Sequence, residues 1–186
     1  MALIKHGRIV PDPWVAVADG DPLPGDGRAA IMSLARWQAE REALLRHNGA
    51  LGIRLAPDQP PALIADDLHR VDLVVLHFPK FTDGRSYSSA RLLRQRYRFA
   101  GEIRATGHVL RDQLLFMQRC GFDTFEIADD DAAETWRRAL SEIGVWYQPA
   151  ADDHMPAWRQ REARRTEAQP ASTDAEASGY AGAWAY

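Results

Sequence analysis

From Leu51 to Ile143 the hydrophobic period of the chain switches repeatedly between two and about 3.6, and this alternation narrows the fold more than any other feature. LGIRL (51–55), VDLVVLHF (71–78), EIRATG (102–107) and DTFEIA (123–128) read as strands. Interleaved with them, PALIADDLHR (61–70), SYSSARLLRQRYR (86–98), VLRDQLLFMQRC (109–120) and AAETWRRALSEI (132–143) read as helices, the last two stopped by Gly121 and Gly144. Strands separated by single helices and short loops pair in parallel through right-handed crossovers. The near-continuous apolar run LVVL suits a central strand covered on both faces. Four strands are too few to close a barrel. The expected fold is therefore α/β, a small open parallel sheet of about four βα units, either partial-barrel-like or three-layered.

Around this block the pattern predicts an N-terminal arm (1–27), an α/β domain (28–150) and a C-terminal extension (151–186). In the arm, LIKHGRIV carries a Gly-centred turn, WVAVAD offers a second strand and DGDPLPGDG a loop. Residues 28–46 read as one helix with Ile31, Leu34, Trp37 or Gln38, Arg41, Leu44 and Leu45 on one side, capped by Asp26 or Gly27 and ended by Asn48-Gly49. The extension has ten alanines and no Val, Ile, Leu or Phe, so it cannot bury enough apolar area to offset its ordering entropy. HMPAWRQREARRTEA is expected as a short helix and QPASTDAEASGYAGAWAY as a flexible tail. The aromatic end of that tail (Tyr180, Trp184, Tyr186) reads as an unstructured extension or a docking peptide. The N-terminus lacks an apolar core of signal-peptide length, and no stretch approaches the roughly eighteen apolar residues of a membrane span. A cytoplasmic protein, with no membrane partner, is expected.

Charge is unevenly placed. Between Lys80 and Arg119 nine Lys/Arg face three acids, a net of +6 in a chain of −3 overall. With a pI near 6.1, the whole chain is not basic enough for general nucleic-acid binding. The next segment, Asp123 to Asp153, holds nine acids against Arg137 and Arg138. The two blocks could pair within the chain or steer head-to-tail association into a homodimer.

In parallel α/β sheets ligands sit beyond the carboxyl ends of the strands. That rule gathers the loops 79–89, 105–112 and 127–131, and with them an anion-binding set: Lys80, Arg85, Ser86, Ser88, Arg104, His108 and Arg111. Ser86 reads equally as a helix cap beside an Asp83-Gly84 turn. Arg91, Arg94 and Arg98 follow helical spacing and share a face, either solvated or docking a partner, while Arg96 points elsewhere. Asp129, Asp130 and Asp131 read as a favourable charge cluster at a helix start or as oxygen ligands for a divalent cation; no metal site is assigned. The single cysteine, Cys120, excludes an internal disulfide and a four-thiolate cluster. It reads as a buried thiol, or as a reactive one if Arg111 and Arg119 approach it. Ser88, His108 and Asp112 supply the types of a triad without diagnostic spacing, and GxGxxG, P-loop, CxxC and HExxH motifs are absent. Catalytic residues stay unassigned, and no cofactor is expected.

Three segments carry a family resemblance. The first is Phe78, Pro79, Phe81, Asp83, Gly84, Arg85, Tyr87, Ser88, Ala90, Arg91, Leu93 and Arg94. The second is Gly101, Glu102, Arg104, Ala105, Gly107, Val109, Leu110, Asp112 and Gln113. The third is Arg119, Cys120, Gly121, Phe122 and Asp123. Together they resemble a bacterial family of unknown biochemical function whose members carry the label of oxidoreductase or accessory protein of assimilatory sulfite reduction. The resemblance spans about residues 28–147. It implies a role in sulfate assimilation and cysteine biosynthesis, beside a sulfite or nitrite reductase or a ferredoxin-type electron donor. One cysteine cannot hold a four-thiolate cluster, so the redox centre would belong to the partner. The expected function is an accessory protein docking to the reductase or its donor through Arg91, Arg94 and Arg98. The alternative is an enzyme or sensor holding sulfite or a phosphate ester in the strand-end loops. A third reading, a purely structural partner, rests on the aromatic tail.

Overall fold

Alternation of large apolar residues along short strands builds the central sheet, in a computed structural model that describes residues 2–25, 27–129, 131–152 and 154–168. The strands are β1 (Ala2–Lys5), β2 (Arg8–Val10), β3 (Trp14–Ala16), β4 (Ala29–Ser33), β5 (Leu51–Leu55), β6 (Leu73–Phe78), β7 (Glu102–Gly107) and β8 (Thr124–Ile127). They form one sheet in the order β2-β1-β8-β7-β6-β5-β4-β3. β3 to β8 run parallel in sequence order, and the β1–β2 hairpin joins antiparallel on β8. The sheet is open and strongly curled, half of a barrel.

The helices are α1 (Leu34–Ala39), α2 (Arg41–Leu45), a 3₁₀ segment (Pro61–Arg70), α3 (Arg85–Arg91), a π segment (Leu92–Arg96), α4 (Arg111–Cys120), α5 (Ala132–Ser141) and α6 (Ala157–Ala168). Apart from α6, all of them pack on one face of the sheet. There Met32, Ile53, Leu55, Val74, Leu76, Ile103 and Phe125 meet Trp37, Ile64, Leu93, Leu114, Met117 and Trp136 in a single core. A sequential parallel order with right-handed crossovers requires this one-sided coverage. On the other face Ile31, Leu73 and Val75 are covered by Trp14.

The sheet is larger than about four βα units. The four expected strands are all present, but residues 28–46 do not form one helix. Ala29–Ser33 pairs between β3 and β5, sending Ala30 and Met32 into the helix-side core and Ile31 to the opposite face. Alanine and methionine favour helices, and pairing on both sides overrides that preference. The helix starts where Ser33, in extended conformation, accepts the Arg36 N–H on Oγ at 3.0 Å. Residues 1–27 supply β1, β2 and β3.

Two compact units divide the chain: residues 1–144 with 150–153, and residues 145–149 with 154–186. In the second, the Ala157 N–H donates to the Trp146 carbonyl and Gln160 reaches the Met155 carbonyl, closing the first turn of α6. The flexible-tail expectation concerns residues 169–186, outside the described ones. Among the described residues no helix is long and apolar enough to cross a membrane.

Candidate functional site

On the helix-free face, β-sheet register lines side chains into rows across the strands. One row runs Ser33, Arg54, Val75, Arg104, Thr124 and Lys5. The row nearer the carboxyl ends holds His77 beside Thr106. Two guanidinium groups thus share this face, two strands and about 10 Å apart.

Arg104 is 1% exposed, and carboxylates surround it. Its guanidinium donates to both Asp12 oxygens at 2.7 and 3.0 Å and lies 3.4 Å from Glu102 and 3.6 Å from Glu126. Glu102 in turn accepts from Lys5 at 2.7 Å and Thr124 at 2.8 Å. Burial pushes the Asp12 and Glu102 carboxyls up, but bonds from Arg104 to Asp12 and from Lys5 and Thr124 to Glu102 leave both below the usual carboxylate range. Arg104 therefore ties β7 to the β2–β3 connection and carries no spare charge for an external anion.

Arg54, by contrast, has no hydrogen bond or ion pair among the described residues. It projects beside a cavity of about 350 Å³ at the carboxyl ends of β4, β5 and β6. Asp19, Ser33, Gln59 and His77 supply the polar lining, and Leu34, Ala35, Leu55 and Ala56 the apolar part. The surrounding loops are fixed. Arg36 is buried and donates to the Ala18 and Asp21 carbonyls at 2.7 and 2.6 Å, holding the segment that presents Asp19. Ser33 Oγ donates to Asp19 at 2.7 Å. Gln59 accepts the Ala56 N–H through Oε1 at 2.8 Å, which leaves its amide NH₂ as a donor. His77 has Nδ1 3.3 Å from Thr106 Oγ1, and Ser86 Oγ donates to the His77 carbonyl at 2.9 Å. Gly107, at φ 88°, lets the His77 ring lie against the backbone; a Cβ there would come within 2.7 Å of its Cε1.

Of the seven residues predicted to bind an anion, no two are joined by a hydrogen bond or ion pair among the described residues. Arg85 forms a bidentate pair with Asp83 at 3.0 and 2.7 Å, and Ser86 is buried as a latch on β6. Lys80, Ser88 and His108 are exposed. His108 donates its backbone N–H to the Phe78 carbonyl. Arg111 pairs with Glu142 on the surface. Arg104 sits mid-strand in its carboxylate cluster rather than at the strand-end edge.

Four of the nine basic residues in the +6 block pair with the acidic block that follows it. Arg94 pairs with Asp123, Arg104 with Glu126, Arg111 with Glu142 and Arg119 with Asp152. Lys80, Arg91, Arg96 and Arg98 remain without a carboxylate among the described residues. Arg94 lies beside Ala90 and Leu93 on the inner side of its helix, so it faces the protein. The π segment then widens the helix: the Tyr97 N–H bonds the Leu92 carbonyl five residues back. Arg91 and Arg96, five apart, consequently line one shallow depression with Ser88, the exposed Leu92 and Gln95. Arg98, in the left-handed region at φ 54°, lines a different hollow with His69, Asp72 and Phe99.

Arg54 and His77 are functional candidates that the strand-end loop reading passes over. Their signal lies within the strands: in LGIRL and LVVLHF each is the single non-apolar residue one place before the carboxyl end. Asp129 and Asp131 cap α5: Asp129 accepts from the Asp131 N–H and Thr135 Oγ1, Asp131 from the Glu134 N–H. Asp130 lies outside the described residues.

Cys120, at the end of α4, is buried in the helix-side core, and burial pushes its thiol up to about 11 despite the positive charge of Arg91 and Arg119. Native protein is expected to resist iodoacetamide at about pH 8, whereas unfolded chain reacts fully. Rapid native labelling would reveal an accessible thiolate.

The family described as "bacterial protein of unknown function (DUF934)" matches residues 52–158. The chain belongs to this family. The match starts within β5 and takes in β6 to β8, so Arg54, His77, Arg91, Arg96 and Arg104 fall inside it and Asp12, Asp19 and Ser33 outside. No curated protein matches the sequence.

Proposed function

We propose that this DUF934 protein is an accessory protein of assimilatory sulfite reduction, docking to the reductase or to its ferredoxin-type electron donor. The sequence resemblance in the segments 78–94, 101–113 and 119–123 supports the pathway. The observation that carries docking is the pair Arg91 and Arg96, exposed around Leu92 without a carboxylate among the described residues, while Arg85, Arg94, Arg104, Arg111 and Arg119 are ion-paired. Unpaired guanidinium groups beside an apolar residue suit an acidic protein surface, where they raise association rate and fix register. The buried, high-pKa thiol of Cys120 is consistent with a redox centre on the partner.

Deleting the gene is expected to cause cysteine auxotrophy on sulfate and on sulfite, rescued by sulfide. Tagged wild-type protein from cells grown on sulfate should capture sulfite reductase or the donor, and the Arg91→Glu/Arg96→Glu double variant should not. Capture should also weaken as ionic strength rises. Growth on sulfite without the gene would sink the pathway reading; capture unaffected by the double variant would sink the docking surface.

A further inference from the structure

We propose that the cavity at the carboxyl ends of β4, β5 and β6 binds a small organic oxyanion, its charged head on Arg54. The site is separate from the docking surface and does not rest on it. A guanidinium offers a planar fork of N–H donors that matches carboxylate, sulfonate and phosphate oxygens in pairs. At least ten of the sixteen other arginines in the β-sheet unit spend that fork on a carboxylate or on backbone carbonyls. Arg54 makes no hydrogen bond or ion pair among the described residues, and it stands on a strand paired on both sides while lining the cavity.

Two further polar groups line the same space. The Gln59 amide is oriented by the bond its oxygen accepts, and His77 is held by Thr106, Ser86 and the Gly107 backbone. Placement follows the rule for parallel α/β sheets, with the cavity beyond the carboxyl ends of adjacent strands. Its volume of about 350 Å³ is at the small end of ligand sites and exceeds what a bare oxyanion fills. The wall of Leu34, Ala35, Leu55 and Ala56 calls for an apolar body of a few carbons behind the charged head. Asp19, engaged by Ser33, sits on the far lining and disfavours a second negative charge there.

The test is calorimetry on the full chain at low salt with propionate, ethanesulfonate and ethyl phosphate, and with sulfite and inorganic phosphate as heads without a body. At least one ethyl-bearing probe should bind in the millimolar range or tighter, and more tightly than its bare head. Arg54→Gln should weaken it by about tenfold or more. Because Arg54 has no hydrogen-bond or ion-pair partner among the described residues, the variant should melt with the wild type, and Arg46→Gln, at an exposed arginine outside the cavity, should bind as the wild type does. A bare ion bound as tightly as its ethyl derivative would overturn the organic ligand in favour of a free-ion site. Absence of binding by all five probes, or binding unchanged in Arg54→Gln, would overturn the proposal as a whole.

Discussion

Replacing Arg104 by leucine is expected to cost about 3–5 kcal/mol of folding stability, the range found when one member of a buried ion cluster is removed. Leucine fits the apolar part of the space but leaves Asp12, Glu102 and Glu126 facing one another with only Lys5 nearby. A domain of this size has a total stability of about 5–15 kcal/mol, so the variant should be marginal near body temperature. The pH dependence supplies a second, sharper reading. In the wild type the folded pKa values of Asp12 and Glu102 are lowered. Their contribution is fully present above the unfolded values of about 4 and is lost as pH falls through the folded ones. Without Arg104 the burial effect on Asp12 is left without its main opponent, so that folded pKa rises. A raised carboxylate pKa has the opposite sign, with stability regained on acidification. The leucine variant should therefore be more stable at about pH 5 than at pH 7, and the wild type should not. Adding Asp12→Asn and Glu126→Gln to the variant should recover much of the loss, since the repelling charges go with their cation. Urea titrations across pH decide it: a variant within about 1 kcal/mol of wild type, or with the same pH slope, would show that the cluster is not coupled.

How far the sequence reveals this molecule depends on whether a residue's partner is near in the chain. β6 was legible because LVVLHF is apolar on both faces, and α4 because Gly121 at φ 106° ends it as a left-handed cap. β4 was hidden because AAIMS has the composition of a helix, and only its two flanking strands make it extended. Strand-end geometry points to the loops 79–89, 105–112 and 127–131, whereas the proposed cavity lies at the ends of β4, β5 and β6. Loop residues such as Arg85 and Arg111 find acids locally or on α5's C-terminal side, whereas Arg54 and His77 reach the cavity from within strands. The +6 and −7 blocks stood out at once, yet their mutual pairing depends on Asp123, Glu126, Glu142 and Asp152 meeting residues up to 33 positions away. The π segment had no sequence mark at all. It decides that Arg91 shares its surface with Arg96 rather than with Arg94 and Arg98.

Arg94→Met should cost about 3 kcal/mol or more, because a residue that looks like one of several surface arginines is the knot between three segments. Its Nε donates to the Gly121 carbonyl at 3.0 Å, its Nη1 to the Phe99 and Gly101 carbonyls at 2.6 and 2.8 Å, and its Nη2 pairs with Asp123. Asp123 also accepts the Ile103 N–H at 2.8 Å, so the pair fastens the turn after α4 to the start of β7. The fit is close: a Cβ on Gly121 would lie 2.5 Å from Arg94 Cγ. Methionine can occupy the stem's path but supplies no donor, leaving three carbonyls and a carboxylate that solvent reaches only in part. Arg94→Lys restores one charge as a point donor and cannot span the fork, so it should recover less than half of the loss. Arg91→Met, on the exposed side of the same helix, should change stability by less than about 0.5 kcal/mol. Urea midpoints at constant m-value give all three numbers. If Arg94→Lys matches the wild type, or Arg91→Met falls as far as Arg94→Met, the side chain acts through charge alone and the knot is not there.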